Sequence, residues 1–223
     1  MKKRKVLLTG GSRGIGEAIK NELAGAGYEV VAPERAELDL ADDKSLARFL
    51  EKNQGASFDI LINVAGINNI SPLEAIKDND IDEMMAVNLV GPLKLARMAS
   101  AGMKQKKWGR IVNISSIFGV VSKEKRTVYS ATKFGINGIT KALAVELGPY
   151  NILVNSVCPG YTETELTRKN VGEEDRKIIL PNIPLRRFAQ PDEIAKVVRF
   201  LVSEDNTYLT GQIIIADGGF TSC

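Results

Sequence analysis

Tyr129 and Lys133 stand one helical turn apart in Tyr129-Ser130-Ala131-Thr132-Lys133, at the start of a long helical pattern. Residues at i and i+4 share a helix face, so the hydroxyl and the ammonium can address one ligand. A free tyrosine titrates near ~10, too high for acid–base work at neutral pH. A cation about 4 Å away is worth up to ~4 kcal/mol at an effective dielectric near 20, enough to lower that pKa by up to ~3 units. The spacing alone is weak, because such pairs more often decorate a helix surface. Ser116 closes Ile114-Ser115-Ser116 and offers a hydroxyl to a substrate oxygen, although serines also simply end strands. Asn88, in Val87-Asn88-Leu89, lies within an apolar helical stretch, where a buried amide needs partners: backbone groups or a held water.

A second chemical signal is Thr9-Gly10-Gly11-Ser12-Arg13-Gly14-Ile15-Gly16. Glycines at 10, 14 and 16 permit a tight turn whose backbone N–H groups approach a pyrophosphate, with the positive end of the following helix behind them. The spacing is G-x-x-x-G-x-G rather than G-x-G-x-x-G, and it is the strand–turn–helix context that favours a nucleotide. Glu34 ends the second strand, where a carboxylate accepts bonds from a ribose 2′-hydroxyl and repels a 2′-phosphate. Arg13 and Arg35 offer two guanidiniums to that phosphate. Two cations against one anion favour NADP, with NAD as the alternative.

Composition narrows the chemistry. The 223 residues contain no histidine, which excludes a Ser-His-Asp triad, a Cys-His pair and any His-containing zinc site. Cys158 and Cys223 make neither a metal-ligand spacing nor a disulfide framework. A net charge of +3, with both signs mixed, gives no reason to expect nucleic acid. No apolar run reaches membrane-spanning length. After the basic start Met1-Lys2-Lys3-Arg4-Lys5, the apolar Val6-Leu7-Leu8 is too short for a signal sequence, so a cytoplasmic location is expected.

The elements that must position these residues follow from the hydrophobic pattern. Short apolar runs at Val6–Thr9, Val30–Ala32, Ile60–Asn63, Ile111–Ile114, Leu153–Val157 and Ile213–Ala216 read as strands buried on both faces. They alternate with helical patterns at Gly14–Ala24, Asp42–Lys52, Ile81–Gln105, Ser130–Leu147 and Pro191–Val202. This predicts an α/β fold, a Rossmann-like doubly wound parallel sheet with helices on both faces. With no repeat or linker, residues 1–223 are expected to form a single dinucleotide-binding and catalytic domain. The polar segment 162–187 breaks the alternation after a strand end and is a candidate substrate lid.

Taken together and in order, these segments resemble the short-chain dehydrogenase/reductase family, from Val6 to Gly219. The resemblance rests on Thr9–Gly16, Asn63-Val64-Ala65-Gly66, Asn88, Ser116, Tyr129 with Lys133, Pro159-Gly160 followed by Thr164, and Thr210-Gly211 through Asp217-Gly218-Gly219. Whole-chain similarity is strongest to its 3-oxoacyl-acyl-carrier-protein reductases, especially at Leu185-Arg186-Arg187-Phe188 and Pro191-Asp192-Glu193-Ile194-Ala195. The resemblance implies Tyr129 as general acid/base and Lys133 lowering its pKa and holding the nicotinamide ribose. It implies Ser116 orienting the substrate oxygen and Asn88 keeping a water that links Lys133 to solvent. It places Gly10, Ser12, Arg13, Gly14, Ile15 and Gly16 at the phosphates, with Asn63, Ala65 and Gly66 along the adenosine ribose. Asp39 and Leu40 fall at the adenine, with Glu34 and Arg35 beside it. Pro159, Gly160, Thr162 and Thr164 fall at the nicotinamide. It also implies a homotetramer or homodimer joined through the two long helices.

The sequence departs from the family after Val30-Val31-Ala32, where only Pro33-Glu34-Arg35-Ala36 precedes Glu37-Leu38-Asp39. A parallel neighbour needs a crossover of about a dozen residues, so a third strand there is expected to be very short or displaced. Three functions compete. They are a reductase of ketones or 3-oxoacyl thioesters, an NAD-dependent dehydrogenase of a sugar, polyol or other secondary alcohol, and a non-catalytic dinucleotide sensor. The intact Asn88, Ser116, Tyr129 and Lys133 disfavour the last. The loop Ser122-Lys123-Glu124-Lys125-Arg126-Thr127 carries three cations and one anion. It reads either as a solvated surface or as a charged pocket entrance that attracts an anionic or carrier-linked substrate.

Overall fold

The structure is a computed structural model in which residues 3–222 are described; Cys223 and the first two residues of the basic start lie outside that range. Six parallel strands form one sheet: β1 (Lys5–Thr9), β2 (Glu29–Val31), β3 (Ile60–Asn63), β4 (Gly109–Ile114), β5 (Ile152–Pro159) and β6 (Ile213–Ala216). Their order is β2-β1-β3-β4-β5-β6. The two-residue period of a strand divides its side chains between two cores. Leu7, Leu61, Ile111 and Val154 face one way, onto α2 (Asp43–Lys52), α4 (Gly91–Lys106) and α5 (Thr127–Leu147). Val6, Leu8, Ile60, Ile62, Val112 and Val157 face the other, onto α1 (Gly14–Gly25) and α8 (Pro191–Val202). The doubly wound arrangement expected from sequence is therefore present.

The chain leaves β1 in one direction to form β2 and returns past β1 to form β3. That reversal splays the loops at the carboxyl ends of β1 and β3 apart and opens a crevice between them. Beyond β2 no further strand forms among the described residues. Instead, the amides of Glu37 and Leu38 both donate to the Glu34 carbonyl at 2.9 Å, closing a turn. Asp42 then caps α2 by accepting from the Lys44 amide at 2.9 Å. Four residues cannot supply a parallel crossover, so the expected third strand is replaced by a turn that tucks Leu38 and Leu40 into the core.

The long helix expected over Ile81–Gln105 runs as α3 (Asp78–Met85), a π-helical turn at Ala86–Val90, and α4. Pro92 has no N–H to offer the Asn88 carbonyl four residues back, and the Gly91 amide bonds to the Ala86 carbonyl five residues back instead. The segment 162–187 holds two short helices, α6 (Glu165–Asn170) and α7 (Glu173–Ile179). No helix among the described residues is long and apolar enough to cross a membrane.

Candidate active site

The glycine turn meets its geometric requirements. Gly10 and Gly14 have φ of 69° and 55°, in the left-handed region that favours glycine. A side-chain carbon at Gly10 would lie 2.8 Å from the Ala65 backbone, and one at Gly16 only 1.9 Å from the Gly10 carbonyl oxygen. The loops after β1 and β3 are thus held side by side, with the N-terminus of α1 directed into the crevice. Backbone donors and a helix end suit a pyrophosphate, and no side chain at these positions could replace the glycines without closing the space. The Thr9 hydroxyl joins the two loops by accepting from the amides of Val64 and Ala65 at 3.1 and 3.2 Å.

From this turn a cleft of about 380 Å³ runs to Tyr129. It brings together all but two of the residues singled out from sequence: Gly10, Ser12 to Gly16, Glu34, Arg35, Asp39, Leu40, Ala65, Gly66, Ser116, Tyr129, Lys133, Pro159, Gly160, Thr162 and Thr164. Asn63 and Asn88 lie behind the wall. The Asn63 amide donates to Asn113 Oδ1 at 2.9 Å across the β3–β4 pair. Asn88 is engaged with the backbone of Ile67, accepting from its N–H and donating to its carbonyl, both at 2.9 Å, and also donates to Thr132 Oγ1 at 3.2 Å. Asn88 Oδ1 and Lys133 Nζ lie 3.4 and 3.6 Å from the point a Gly66 side-chain carbon would occupy.

Helix α5 is pinned to the sheet by buried polar ties. Asn113 donates to Thr140 Oγ1 at 2.9 Å, Ser156 donates to Asn137 Oδ1 at 2.8 Å, and Asn137 donates to the Gly119 carbonyl at 3.0 Å. Ser115 Oγ donates to the Lys133 carbonyl at 3.1 Å, so Ser115 is committed to holding the helix. Ser116 Oγ accepts from the Phe118 amide at 3.2 Å and interacts with Tyr129. Lys133 is buried, donates to the Ile114 carbonyl at 2.9 Å, and sits 5.5 Å from the Tyr129 ring centroid.

The electrostatics differ from the expectation built on Tyr129 and Lys133 alone. Burial pushes the Tyr129 hydroxyl above its ordinary range, while its bond with Ser116 and the charge of Arg126 pull it down. Lys133 is directed at the Ile114 carbonyl, and burial lowers its pKa to about 8. The cation acting on the tyrosine within the chain is therefore Arg126, three residues before it. The entrance loop also divides differently from expectation. Lys125, at φ 61°, is exposed and lies away from the cleft, whereas Arg126 is turned inward and is only 7% exposed. Its guanidinium carbon sits 5.4 Å from the Phe118 ring centroid, and that ring is 6.4 Å from the ring of Tyr129. The sequence signal was the position of Arg126 three residues before Tyr129, where it caps the start of α5.

Along the cleft, Arg13 of the glycine turn pairs with Glu165 of α6 at 3.1 Å. Arg35 pairs with Asp39 at 2.9 Å and lies 3.9 Å from Glu83. Thr164 caps α6 and packs its methyl 3.2 Å from the position of a Gly14 side-chain carbon. Tyr161, not singled out from sequence, stacks on Phe188 at 5.3 Å and meets Phe118 edge-on at 6.5 Å, forming an aromatic wall. No cluster of acidic or thiol side chains among the described residues could hold a metal ion.

A family model described as enoyl-(acyl carrier protein) reductase matches residues 33–221. The chain is 38% identical to the 3-oxoacyl-(acyl-carrier-protein) reductase of Aquifex aeolicus, over 96% of this chain and 95% of that one. It is 37% identical to the acetoacetyl-CoA reductase of Shinella zoogloeoides, over 97% and 98% of the two chains. A gluconate 5-dehydrogenase from Burkholderia cenocepacia, solved with NADP and tartrate, superposes with a TM-score of 0.94 at 29% identity, covering 100% of this chain and 97% of the other.

Proposed function

The chain belongs to the short-chain dehydrogenase/reductase family and is an NAD(P)-dependent oxidoreductase acting between CH–OH and C=O; on that premise we propose that it reduces a ketone or 3-oxoacyl thioester with NADPH, Tyr129 protonating the carbonyl oxygen. The observation that carries this reading is the burial of Tyr129, Ser116 and Lys133 at one end of a cleft whose other end is the glycine turn. When bound, the dinucleotide supplies the hydride. Ser116 donates to the substrate oxygen and aligns it with the Tyr129 hydroxyl. Lys133 holds the nicotinamide ribose and, with Asn88 at its side, replenishes the proton. Pro159, Gly160, Thr162 and Thr164 border the nicotinamide, and Ala65 and Gly66 the adenosine ribose. Segment 162–187 serves as the lid of a single catalytic domain; the Arg13–Glu165 pair and the packing of Thr164 over Gly14 support this role. Arg13 and Arg35 at the adenine end favour NADPH, as does the NADP-bound relative. Exposed Leu93, Phe134 and Val145 on α4 and α5 support assembly through those helices.

Tyr129→Phe tests the assignment. It removes the proton donor and keeps the ring, so kcat should fall by about 10²–10⁴ while dinucleotide affinity, read by fluorescence titration, stays unchanged. Retention of more than a few per cent of wild-type kcat would exclude Tyr129 as the acid.

A further inference from the structure

Arg126 is a buried cation with no counter-charge. No carboxylate among the described residues forms an ion pair with it, and its Nη1 is buried without a hydrogen-bond acceptor. It lines the cleft rather than the outer surface. The face of Phe118 gives partial electrostatic compensation, and the groups that act on its charge are the hydroxyls of Tyr129 and Tyr161. A guanidinium keeps its proton at any physiological pH, and an uncompensated buried charge is costly to hold. Stabilising residues are normally paired, whereas a residue kept for a ligand is paired only when that ligand is bound.

We propose that Arg126 receives a carboxylate of the substrate, so that the ketone reduced here is a small oxo acid whose acid group lies a few bonds from the reacting carbonyl. This rests on Tyr129 as the proton donor, because Arg126 is placed relative to it. The two side chains leave the start of α5 three residues apart and share the Phe118 ring, at 5.4 and 6.4 Å. An anion bound by Arg126 therefore lies close to the reacting carbonyl. A carrier or coenzyme thioester has its phosphates many bonds from that carbonyl and an uncharged chain at this point. It would leave the guanidinium unpaired. With the neighbouring Lys125 turned out to water, a single planar fork matches a carboxylate better than a dianionic phosphate. The left-handed turn at Lys125 gives the reason the neighbouring cations do not share the role, since it sends Lys125 outward as Arg126 turns in.

The test compares 4-oxopentanoate and acetoacetate with their methyl esters, and with acetoacetyl-CoA, in wild type, Arg126→Gln and Arg126→Lys. Wild type should prefer each acid over its ester by about a hundredfold in kcat/KM, the usual effect of leaving one member of a buried charge pair unmatched. Arg126→Gln should bring that ratio near unity through a raised KM for the acid alone; any loss on the ester should appear in kcat and not in KM, since Arg126 also lowers the Tyr129 hydroxyl. Arg126→Lys should fall between, since it keeps the charge and loses the fork. Butanoate should bind the NADP-loaded wild type and not the NADP-loaded Arg126→Gln protein by calorimetry. Equal rates for acid and ester in wild type would overturn the inference, as would equal losses on both in Arg126→Gln. Efficient reduction of acetoacetyl-CoA with neither acid turned over would overturn it too, while leaving ketone reduction by Tyr129 standing. Turnover of any of these compounds by Tyr129→Phe at the wild-type rate would instead count against the assigned chemistry.

Discussion

Lys133→Met should make the ligand-free protein more stable at neutral pH while abolishing turnover. Lys133 is 4% exposed, and burial lowers its pKa from 10.5 to about 8. The folded state therefore disfavours the ammonium, and the sign is opposite to that of a lysine in an ion pair. Below pH 8 the full cost of holding the charge is present; between pH 8 and 10.5 it diminishes, because the folded protein has released a proton that the unfolded chain still holds. At about 1.36 kcal/mol per unit, the cost is about 3 kcal/mol at pH 7. Methionine fills nearly the same volume without charge, but leaves the Ile114 carbonyl without its 2.9 Å donor, a loss of about 1–2 kcal/mol. The net gain at pH 7 is then roughly 1–2 kcal/mol, or about 2–8 °C in Tm for a domain of this size. Toward pH 10 the gain should vanish and reverse, because the lysine is by then neutral in the folded protein and the orphaned carbonyl remains. Urea denaturation of wild type and Lys133→Met from pH 6.5 to 10, without dinucleotide, measures the difference directly. A variant less stable than wild type by the same amount at every pH would refute the argument, since it would mean that Lys133 titrates normally and contributes only contacts.

The glycine turn and the arginines beside it offer two further tests. Gly16→Ala places a methyl carbon 1.9 Å from the Gly10 carbonyl; we expect lost dinucleotide binding and a fall in stability of about 1–3 kcal/mol or more, and a variant with wild-type affinity and Tm would show that the turn is not held as described. Arg13→Ala/Arg35→Ala should lower kcat/KM for NADPH about tenfold or more, leaving NADH nearly unchanged, because these two guanidiniums line the cleft beside the glycine turn and Glu34; a wild-type preference for NADH would show that Glu34 dominates.

The strands, the helix pattern and the order of the motifs were legible in the sequence because they depend on local chemistry. Apolar runs such as Val6-Leu7-Leu8 and Ile60-Leu61-Ile62 have only one buried solution between helix layers. Glycine at 10, 14 and 16 announces a backbone that no other residue can follow, and the four residues after Ala32 already ruled out an ordinary crossover. The i, i+4 spacing of Tyr129 and Lys133 put them on one face. Tertiary structure decided where those groups point and what charge they meet. Spacing could not tell that Lys133 turns to the Ile114 carbonyl, or that burial outweighs cation effects at Tyr129, because desolvation depends on every element packed around the site. Nor could it tell that Asn88 is consumed by the backbone of Ile67 at a π-turn imposed by Pro92. The sharpest case is Lys125-Arg126: adjacent in sequence and alike in charge, they part because Lys125 is itself left-handed, which leaves it in water and buries Arg126 beside Tyr129. Residue type sets what a side chain can do, but only the path of the chain sets the dielectric and the partners that decide whether it does so.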